Sequence, residues 1–397
     1  MKKIGIIFRK ELKDTLRDRR TLFFMIVFPI LIIPLIIGGI PKIMVSMMEK
    51  KMTERINIAI FGEENNLELV EMFGMADSID VIFNMERDSI EQSIRNKDID
   101  GAIIIPDGFS EMVNSMKTAQ ITIVYISSDD LEAAKKRMES VINKYRESKI
   151  SQRLEMLEIQ SEILEPVKIN HRNIASEKEM IGKLAGGWLH YMFILYCFLG
   201  AMYPALDLGA GEKERGTIET LLISPAGRLE ILLGKFCVIS LSGFLSAISG
   251  IIGLLVGLQF MTELPMEIIT TMKSIIEIKT IALILSLIVP VSIFFSAVLL
   301  SISFYAKSFK EAQSLVTPIN ILILFPALIG LIPGVELTWK TALIPIVNIA
   351  LVTKEIIAET VSSVLLLEVY GSMIILAVVG LFFTRWWFNR EEVIFRG

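Results

Sequence analysis

The segment Gly211–Leu222 places a dense cluster of charges between two apolar runs, and this contrast indicates how the chain folds. It reads Gly-Glu-Lys-Glu-Arg-Gly-Thr-Ile-Glu-Thr-Leu-Leu. One run ends near Leu206 and the next begins near Leu229. Charges between two runs of membrane length lie at a membrane surface, where they are either hydrated or docked on a partner. Thr217 is predicted to be a helix N-cap, with apolar residues following at helical spacing. The pattern indicates a short surface helix that presents apolar side chains within a charged rim.

The composition is that of an integral membrane protein. Mean hydropathy is +0.58, hydrophobic residues make up 53% of the chain and charged residues only 21%. About half of the charged residues fall between Lys42 and Lys178, so one polar domain interrupts an otherwise apolar chain. The net charge of −4 sums an acidic polar part and basic membrane flanks, and no nucleic-acid partner is expected. Cys197 and Cys237 each lie inside an apolar run, which argues against a disulfide framework or a zinc site.

Six apolar runs each supply the roughly 20 residues that cross a hydrocarbon core. They are Thr21–Ile40, Leu184–Leu206, Phe236–Thr262, Thr280–Ala306, Ala312–Val335 and, roughly, Leu365–Thr384. A further run at Thr341–Thr353 is short and contains Pro345 and Asn348, so it is predicted to be re-entrant or interfacial. The chain is thus predicted to be an α-helical polytopic membrane protein with six transmembrane helices. Small residues such as Gly250 and Gly253 are expected to pack these helices together.

The distribution of basic residues predicts the orientation. A strongly basic tail places the N-terminus in the cytoplasm, and six crossings return the C-terminus to the same side, in a multi-pass protein of the plasma membrane. Residues 1–20 are predicted to form an amphipathic helix in the inner leaflet, from the four-residue spacing of Ile4, Phe8, Leu12 and Leu16. A plain topology anchor and an elbow that transmits motion both remain open for this helix. The residues predicted to lie at the membrane interface are Lys10, Lys13, Arg17, Arg19, Arg20, Trp386 and Trp387.

Residues 42–182, after a first transmembrane helix at 21–41, are predicted to form an extracytoplasmic α/β domain inserted before a five-helix region at 183–397. Strand-like runs at Ile56–Phe61, Ile79–Phe83, Ala102–Ile105 and Ile121–Ile126 alternate with helical runs at Leu67–Phe73, Ser89–Arg95, Gly108–Met116 and Asp129–Glu162. This alternation favours a small α/β layer with an at least partly parallel sheet. The long last helix and Ile43–Arg55 are predicted to form stalks. Because the domain has one histidine and no Gly-rich phosphate loop, a structural, gating or partner-binding role is favoured over chemistry.

Motifs for chemistry are scarce elsewhere in the chain. Gly211 and Gly216 have the spacing of a phosphate-binding loop, but Thr217-Ile218 stands where Lys followed by Ser or Thr is required. No catalytic residue and no metal site is therefore predicted, and Asp207 and Lys235, at inner ends of spans, are assigned to the headgroup region. The candidates for lining a substrate path are His190, Asn320, Asn348 and Glu368. For His190, a neutral buried histidine is the alternative.

The segment from Glu212 to Lys235 closely resembles the membrane-side signature of ABC exporter permeases of the ABC-two type, and is most similar to the sodium-exporter permease (NatB) branch. Asp98–Ser110 also resembles the domain that these proteins insert after the first span. Arg9–Asp14 and Asp18–Arg20 are similar to the start of the family. The likeness covers essentially the whole chain.

The resemblance implies a permease that pairs with a separate ABC ATPase, in a complex of two permeases and two ATPases. This chain would then not be an enzyme, and ATP and magnesium would be bound by the partner. It also implies a cytoplasmic coupling helix at 211–223 and a re-entrant hairpin near 341–359. The implied ATPase-coupling residues are Glu212, Glu214, Arg215, Gly216, Thr217, Glu219 and Leu222.

The substrate implied by the nearest branch is sodium, exported from the cell, whereas relatives move drugs, peptides or lipids. A membrane sensor or receptor is the alternative from another class, and it would explain a large outer domain. An intramembrane enzyme is disfavoured because the spans carry no catalytic pair.

Overall fold

The computed structural model describes residues 2–40, 42–43, 46–47, 50, 54–83, 85–126, 133–164, 166–174, 176–259, 277–332 and 334–390. At positions 177, 178, 180, 181, 184, 185 and 222 it describes the backbone alone. The chain divides into two compact units. One comprises residues 1–42 with 173–397, and the other residues 43–172, a narrower range than the predicted 42–182.

The helices follow in chain order. They are α1 (Lys2–Thr15), α2 (Arg19–Gly39), α3 (Leu67–Gly74), α4 (Ile90–Asn96), α5 (Phe109–Asn114), α6 (Ala133–Met156), α7 (Glu177–Leu206), α8 (Thr217–Leu222), α9 (Arg228–Gln259), α10 (Ile278–Tyr305), α11 (Phe309–Ala327), α12 (Trp339–Ala342), α13 (Val347–Ile357) and α14 (Ser363–Phe388). Strands are β1 (Ile56–Phe61), β2 (Ile79–Ile82), β3 (Gly101–Ile104) and β4 (Thr122–Val124).

Within the described residues, six helices are long and apolar enough to cross a membrane, as the apolar runs predict. They are Arg19–Gly39, Gly186–Glu214, Arg228–Gln259, Ile278–Tyr305, Phe309–Leu331 and Ser363–Phe388. The third begins at Arg228 rather than at the predicted Phe236, because the helix continues through Lys235 where the charge-free run ends. Large apolar side chains remain exposed on the outer helices, for example Leu31 on α2, Phe325 on α11 and Phe382 on α14, as lipid contact requires.

Close helix packing in the larger unit depends on small residues. A Cβ added to Gly243 of α9 would lie 2.8 Å from the carbonyl oxygen of Cys197 on α7, and one on Gly253 would lie 2.6 Å from that of Pro29 on α2. The backbones therefore approach to a distance that only glycine permits, which agrees with the small-residue packing predicted for this span. Gly186 of α7 makes a similar approach to Lys354 of α13, where an added Cβ would lie 2.8 Å from the lysine Cα.

The segment before the last span folds as two helices, α12 and α13, joined through Ile346, whose φ of +71° is rare for a β-branched residue. Most side chains of α13 are buried. This helical pair occupies the predicted hairpin near 341–359, whose re-entrant character stays a prediction.

The smaller unit contains a four-stranded sheet in the order β2-β1-β3-β4. Strand β1 pairs in parallel with β2 and β3, and β4 runs antiparallel to β3. Alternate residues of β1 face opposite sides: Ile58 and Ile60 pack with α3, α5 and α6, and Ala59 packs with α4. The result is a three-layer α/β unit with the partly parallel sheet that the alternating pattern indicates.

The long helix α6 differs from the predicted stalk. Its residues Met138, Val141 and Tyr145 are buried in the core beneath the sheet, and the Arg153 side chain contacts the end of α5. This apolar face at helical spacing keeps the helix packed against the sheet, so α6 is a layer of the domain. Of the predicted stalk segments, residues 129–132 and much of Ile43–Arg55 lie outside the described residues.

Candidate functional site

The charged segment is a compact turn between two spans. Helix α7 ends in a widened π turn at Asp207–Gly211, followed by one helical turn at Glu212–Glu214 and then α8. Gly216 has φ +69°, and a Cβ there would meet nothing within 4 Å, so its backbone conformation, not space, requires glycine. The predicted N-cap role of Thr217 is wrong. Gly216 occupies the cap, and the Thr217 hydroxyl donates to the Glu212 carbonyl oxygen at 3.1 Å.

A buried ion network lies under this turn. Lys235 Nζ on α9 is 2.6 Å from Glu212 Oε1 and 3.1 Å from Glu11 Oε1 on α1. The Lys235 side chain has no exposed surface and that of Glu11 is 1% exposed. The assignment of Lys235 to the headgroup region is therefore wrong: it is buried between two carboxylates. Three elements far apart in sequence meet at this lysine.

Helix α1 reaches the network through a face that the predicted stripe did not include. Ile7, Glu11 and Thr15 are buried, whereas Leu16 of the predicted stripe is exposed. Gly234 makes the approach possible, because a Cβ there would lie 2.5 Å from Ile7 Cγ2. The sequence contained one signal for this contact: Glu11 is a carboxylate that follows the Ile7 position by one helical turn, on a mostly basic and apolar helix.

Lys10 closes the rim of the network. Its Nζ is 3.1 Å from Glu11 Oε2 and 3.8 Å from Glu212 Oε1. Partial burial lowers the pKa of Lys10, but attraction to Glu11 and then Glu212 outweighs it, so the pKa lies above its ordinary value. The half-exposed Lys10 thus adds a second cation at the edge of the buried Lys235–Glu11–Glu212 cluster.

The other residues predicted to lie at the membrane interface are mostly exposed, and their place in the membrane stays a prediction. Lys13, Arg17, Arg19 and Arg20 are exposed, and the Arg20 guanidinium lies 5.0 Å from the ring centroid of Tyr203. At the other end of the chain, Trp386 is half exposed and Arg390 lies 3.9 Å from its ring centroid, with Trp387 packed beside it. Such amphipathic side chains suit the level of the headgroups.

The remaining charges of the segment bind it to neighbouring spans. Arg215 Nη1 donates to Asp207 Oδ1 at 2.8 Å, and this hydrogen bond raises the pKa of Arg215. Lys213 Nζ donates to the carbonyl oxygens of Phe304 and Ala306 at the C-terminal end of α10, at 3.0 and 3.3 Å. Glu214 Oε2 accepts from the Phe309 amide at the start of α11, at 2.8 Å. The Lys213 cation therefore lies at the negative end of one helix dipole and the Glu214 carboxylate at the positive end of another.

Helix α8 has a buried side and an open side. Ile218 is 3% exposed, whereas Glu219 and Thr220 face solvent and the following Ile223 is 85% exposed. The side chain of Leu222 lies outside the described residues. Ile223 thus presents a large apolar side chain at the surface beside the charged turn.

Of the four substrate-path candidates, His190 lines a small cavity that the other three do not line. His190 is 1% exposed and lines a cavity of about 10 Å³, room for at most about one water, together with Ile349 and Thr353 of α13. Asn348 holds the helical pair together: its Nδ2 donates to the Ala342 carbonyl oxygen and to Ser372 Oγ, at 3.0 and 2.7 Å.

The other two candidates lie on outer spans. Asn320 is on α11 and Glu368 on α14. In the part of the chain that the structure describes, Asn320 Oδ1 and Glu368 Oε2 are buried without a hydrogen-bond partner, as is His190 Nε2. The role of all four in a path stays a prediction.

The chain is similar to known membrane transport proteins. A family model described as "ABC-2 family transporter protein" matches residues 19–386. The chain is also similar to the ABC transporter permease protein NatB of Bacillus subtilis (strain 168), with 26% identity over 393 residues that cover 97% of this chain and 98% of that protein. No solved structure matches the chain.

Proposed function

The chain belongs to the ABC-2 family of transporter proteins, and from that premise we propose that it is the membrane subunit of an ATP-driven exporter powered by a separate ATPase. The family match confirms the resemblance drawn from Glu212–Lys235, and with it a transport permease of multi-pass membrane type. ATP and magnesium are bound by the ATPase in this proposal, and this chain couples nucleotide turnover to movement of the spans.

One observation carries the coupling role: the segment 211–223 is fixed to four spans and to α1 but leaves one face of α8 open. Glu212 ties it to α9 and α1, and Lys213 and Glu214 tie it to the α10–α11 connection. A displacement of α8 by a soluble motor would therefore reach several spans at once. Ile223 and Glu219 provide the surface on which that motor docks.

The assembly we propose contains two copies of this chain and two ATPases in the plasma membrane. The basic N-terminal helix and the arginines near the C-terminus put both termini in the cytoplasm by the positive-inside rule. Residues 43–172, inserted after the first span, then lie outside the cytoplasm. The surrounding lipid contacts the exposed apolar faces of α2, α11 and α14.

For the substrate, we propose export of sodium ions as the first candidate, from the likeness of the Glu212–Lys235 signature to the sodium-exporter branch. Drugs, peptides and lipids are the alternatives within the same architecture. Among the four path candidates only Glu368 carries a carboxylate that could bind a sodium ion. ATP-dependent movement of radioactive sodium in proteoliposomes tests whether the substrate is this ion or a larger molecule.

The test of coupling is co-purification of an ATPase with the full chain from native membranes, followed by ATP turnover. We expect Ile223→Ser to lose the ATPase, because it removes the exposed apolar anchor. Ile278→Ser is the matched control, since Ile278 is 88% exposed at the opposite end of α10 from the segment. Retention of the ATPase by both variants contradicts docking at α8. A wild-type chain that purifies alone and stimulates no ATP turnover contradicts the transport proposal and favours a sensor.

A further inference from the structure

The unit at residues 43–172 contains a groove between β4, α5 and α6 with a volume of about 410 Å³. This volume falls within the range of about 300–1,000 Å³ that holds small ligands. Its apolar lining comes from both the edge strand and the helices. The side chains concerned include Phe109, Ile121, Ile123, Ile142 and Ile150.

The rim of the groove carries one sign of charge. Lys117, Arg146, Lys149 and Arg153 line it, and the described residues that line it include no carboxylate. Two of these cations bind other groups of the same domain. Arg153 Nη2 donates to the carbonyl oxygens of Val113 and Lys117, at 2.7 and 3.0 Å, and so holds the loop that forms one wall. Lys149 Nζ is 2.5 Å from Glu68 Oε2 and 5.4 Å from the ring centroid of Tyr145.

We propose that this groove binds a single-chain amphiphilic anion, of the fatty carboxylate type, with its charged head between Lys117 and Arg146 and its apolar chain against the isoleucines. Charge complementarity selects an anion, and the apolar lining selects a body that a free phosphate or a sugar lacks. The volume fits one chain rather than a two-chain phospholipid. The proposal does not depend on what the spans transport.

The test uses the full chain in phosphatidylcholine nanodiscs and a dodecanoate that carries a photoreactive diazirine. We expect saturable labelling of peptides from α6 and β4, displaced by excess dodecanoate. Lys117→Gln/Arg146→Gln is expected to lower this labelling by about tenfold or more, because both charge-assisted contacts to the anionic head are lost. Lys144→Gln is the matched control, since Lys144 is exposed on α6 and does not line the groove.

A second variant tests the apolar half of the site. Ile123→Trp fills the groove and is expected to abolish the labelling, with unchanged hydrogen exchange in β1 showing that the sheet is intact. Labelling confined to the membrane spans overturns the proposal, as does equal displacement by dodecan-1-ol, which has the chain without the charge. Displacement of the photoreactive dodecanoate by phosphatidylglycerol nanodiscs, at a headgroup concentration equal to that of the competing dodecanoate, overturns the choice of a single-chain ligand.

Discussion

Lys235 is the residue on which the geometry of the candidate coupling site depends. It sits inside a helix long enough to cross a membrane, yet its side chain is wholly buried between Glu11 and Glu212. Desolvation offsets much of the attraction in such a network, so its main effect is to select one arrangement of charged partners. For this protein, that arrangement docks α1 and the charged segment on the same turn of α9.

Removal of the lysine is expected to cost far more than the network itself contributes. Lys235→Met leaves two buried carboxylates together, at a cost of about 3–5 kcal/mol in the free energy of unfolding. Glu11→Gln in the same chain removes one of those charges, and we expect Lys235→Met/Glu11→Gln to recover part of the loss. The unfolding midpoints of the wild type, both single variants and the double variant measure this coupling.

Two results of that cycle contradict the network. An unchanged midpoint in Lys235→Met means that the lysine is hydrated, as its position near a span end first indicated. Additive losses in the double variant mean that Lys235 and Glu11 do not interact. High salt is a further check, because buried pairs are screened much less than exposed ones.

At the scale of elements, the sequence predicts what is periodic and local. Strand β1 is predicted with its correct bounds at Ile56–Phe61. A run of mostly apolar, strand-forming residues precedes Gly62, whose φ of +75° ends the strand. The apolar run that begins near Leu229 comes close to the start of α9 at Arg228, but the charge-free span predicted from Phe236 starts too late, because a lysine normally ends a span. Lys235 and its partner Glu11 are 224 residues apart in the sequence, and no local pattern links the two. The same holds for α6, whose length suggests a stalk until its buried face is matched to the sheet.

The packing of α1 against α9 leads to a test with a matched glycine pair. Gly234→Val is expected to displace α1, because its Cβ would lie 2.5 Å from Ile7 Cγ2. The displaced helix should be cut by trypsin at Lys10 and Lys13 several times faster than in the wild type. Gly5→Val is the control, since a Cβ on Gly5 of α1 meets nothing within 4 Å. Equal cleavage rates in the two variants contradict a docked α1.

The α12–α13 pair depends on Asn348. Its Oδ1 also accepts from the Ile349 amide at 2.7 Å, so Asn348→Leu removes this bond along with the bonds to Ala342 and Ser372. We expect a loss of about 1–3 kcal/mol in the free energy of unfolding. Asn320→Leu is the control and should be near neutral, because its buried Oδ1 has no partner among the described residues. Thermal unfolding of both variants measures the difference.

A transport assay on the same two variants separates structure from path. A substrate-path role for Asn320 predicts lost transport in a stable protein, whereas a structural Asn348 predicts lost stability. Unfolding at the wild-type midpoint in Asn348→Leu contradicts the structural role.

At the scale of the whole molecule, the chain consists of two units with separate cores. The two cores are built differently, one like that of a membrane protein and the other like that of a water-soluble domain. The larger unit is held by close helix packing through glycines such as Gly243 and Gly253. The smaller unit buries the apolar face of a sheet under α3 and α6, as a water-soluble domain does. A chain built this way can lose one core without losing the other.

Phe73 tests that independence because it is fully buried in the core of the smaller unit. Phe73→Ala is expected to destabilise that unit by about 3–5 kcal/mol, through lost burial and the cavity that remains. Hydrogen exchange followed by mass spectrometry should then show faster exchange in β1 and β3, with α7 and α9 unchanged. ATP turnover with the proposed partner ATPase should also be unchanged, since the proposed coupling segment belongs to the other unit. Faster exchange in α9, or loss of ATP turnover, contradicts the independence of the two units. Loss of ATP turnover would also give residues 43–172 a part in coupling.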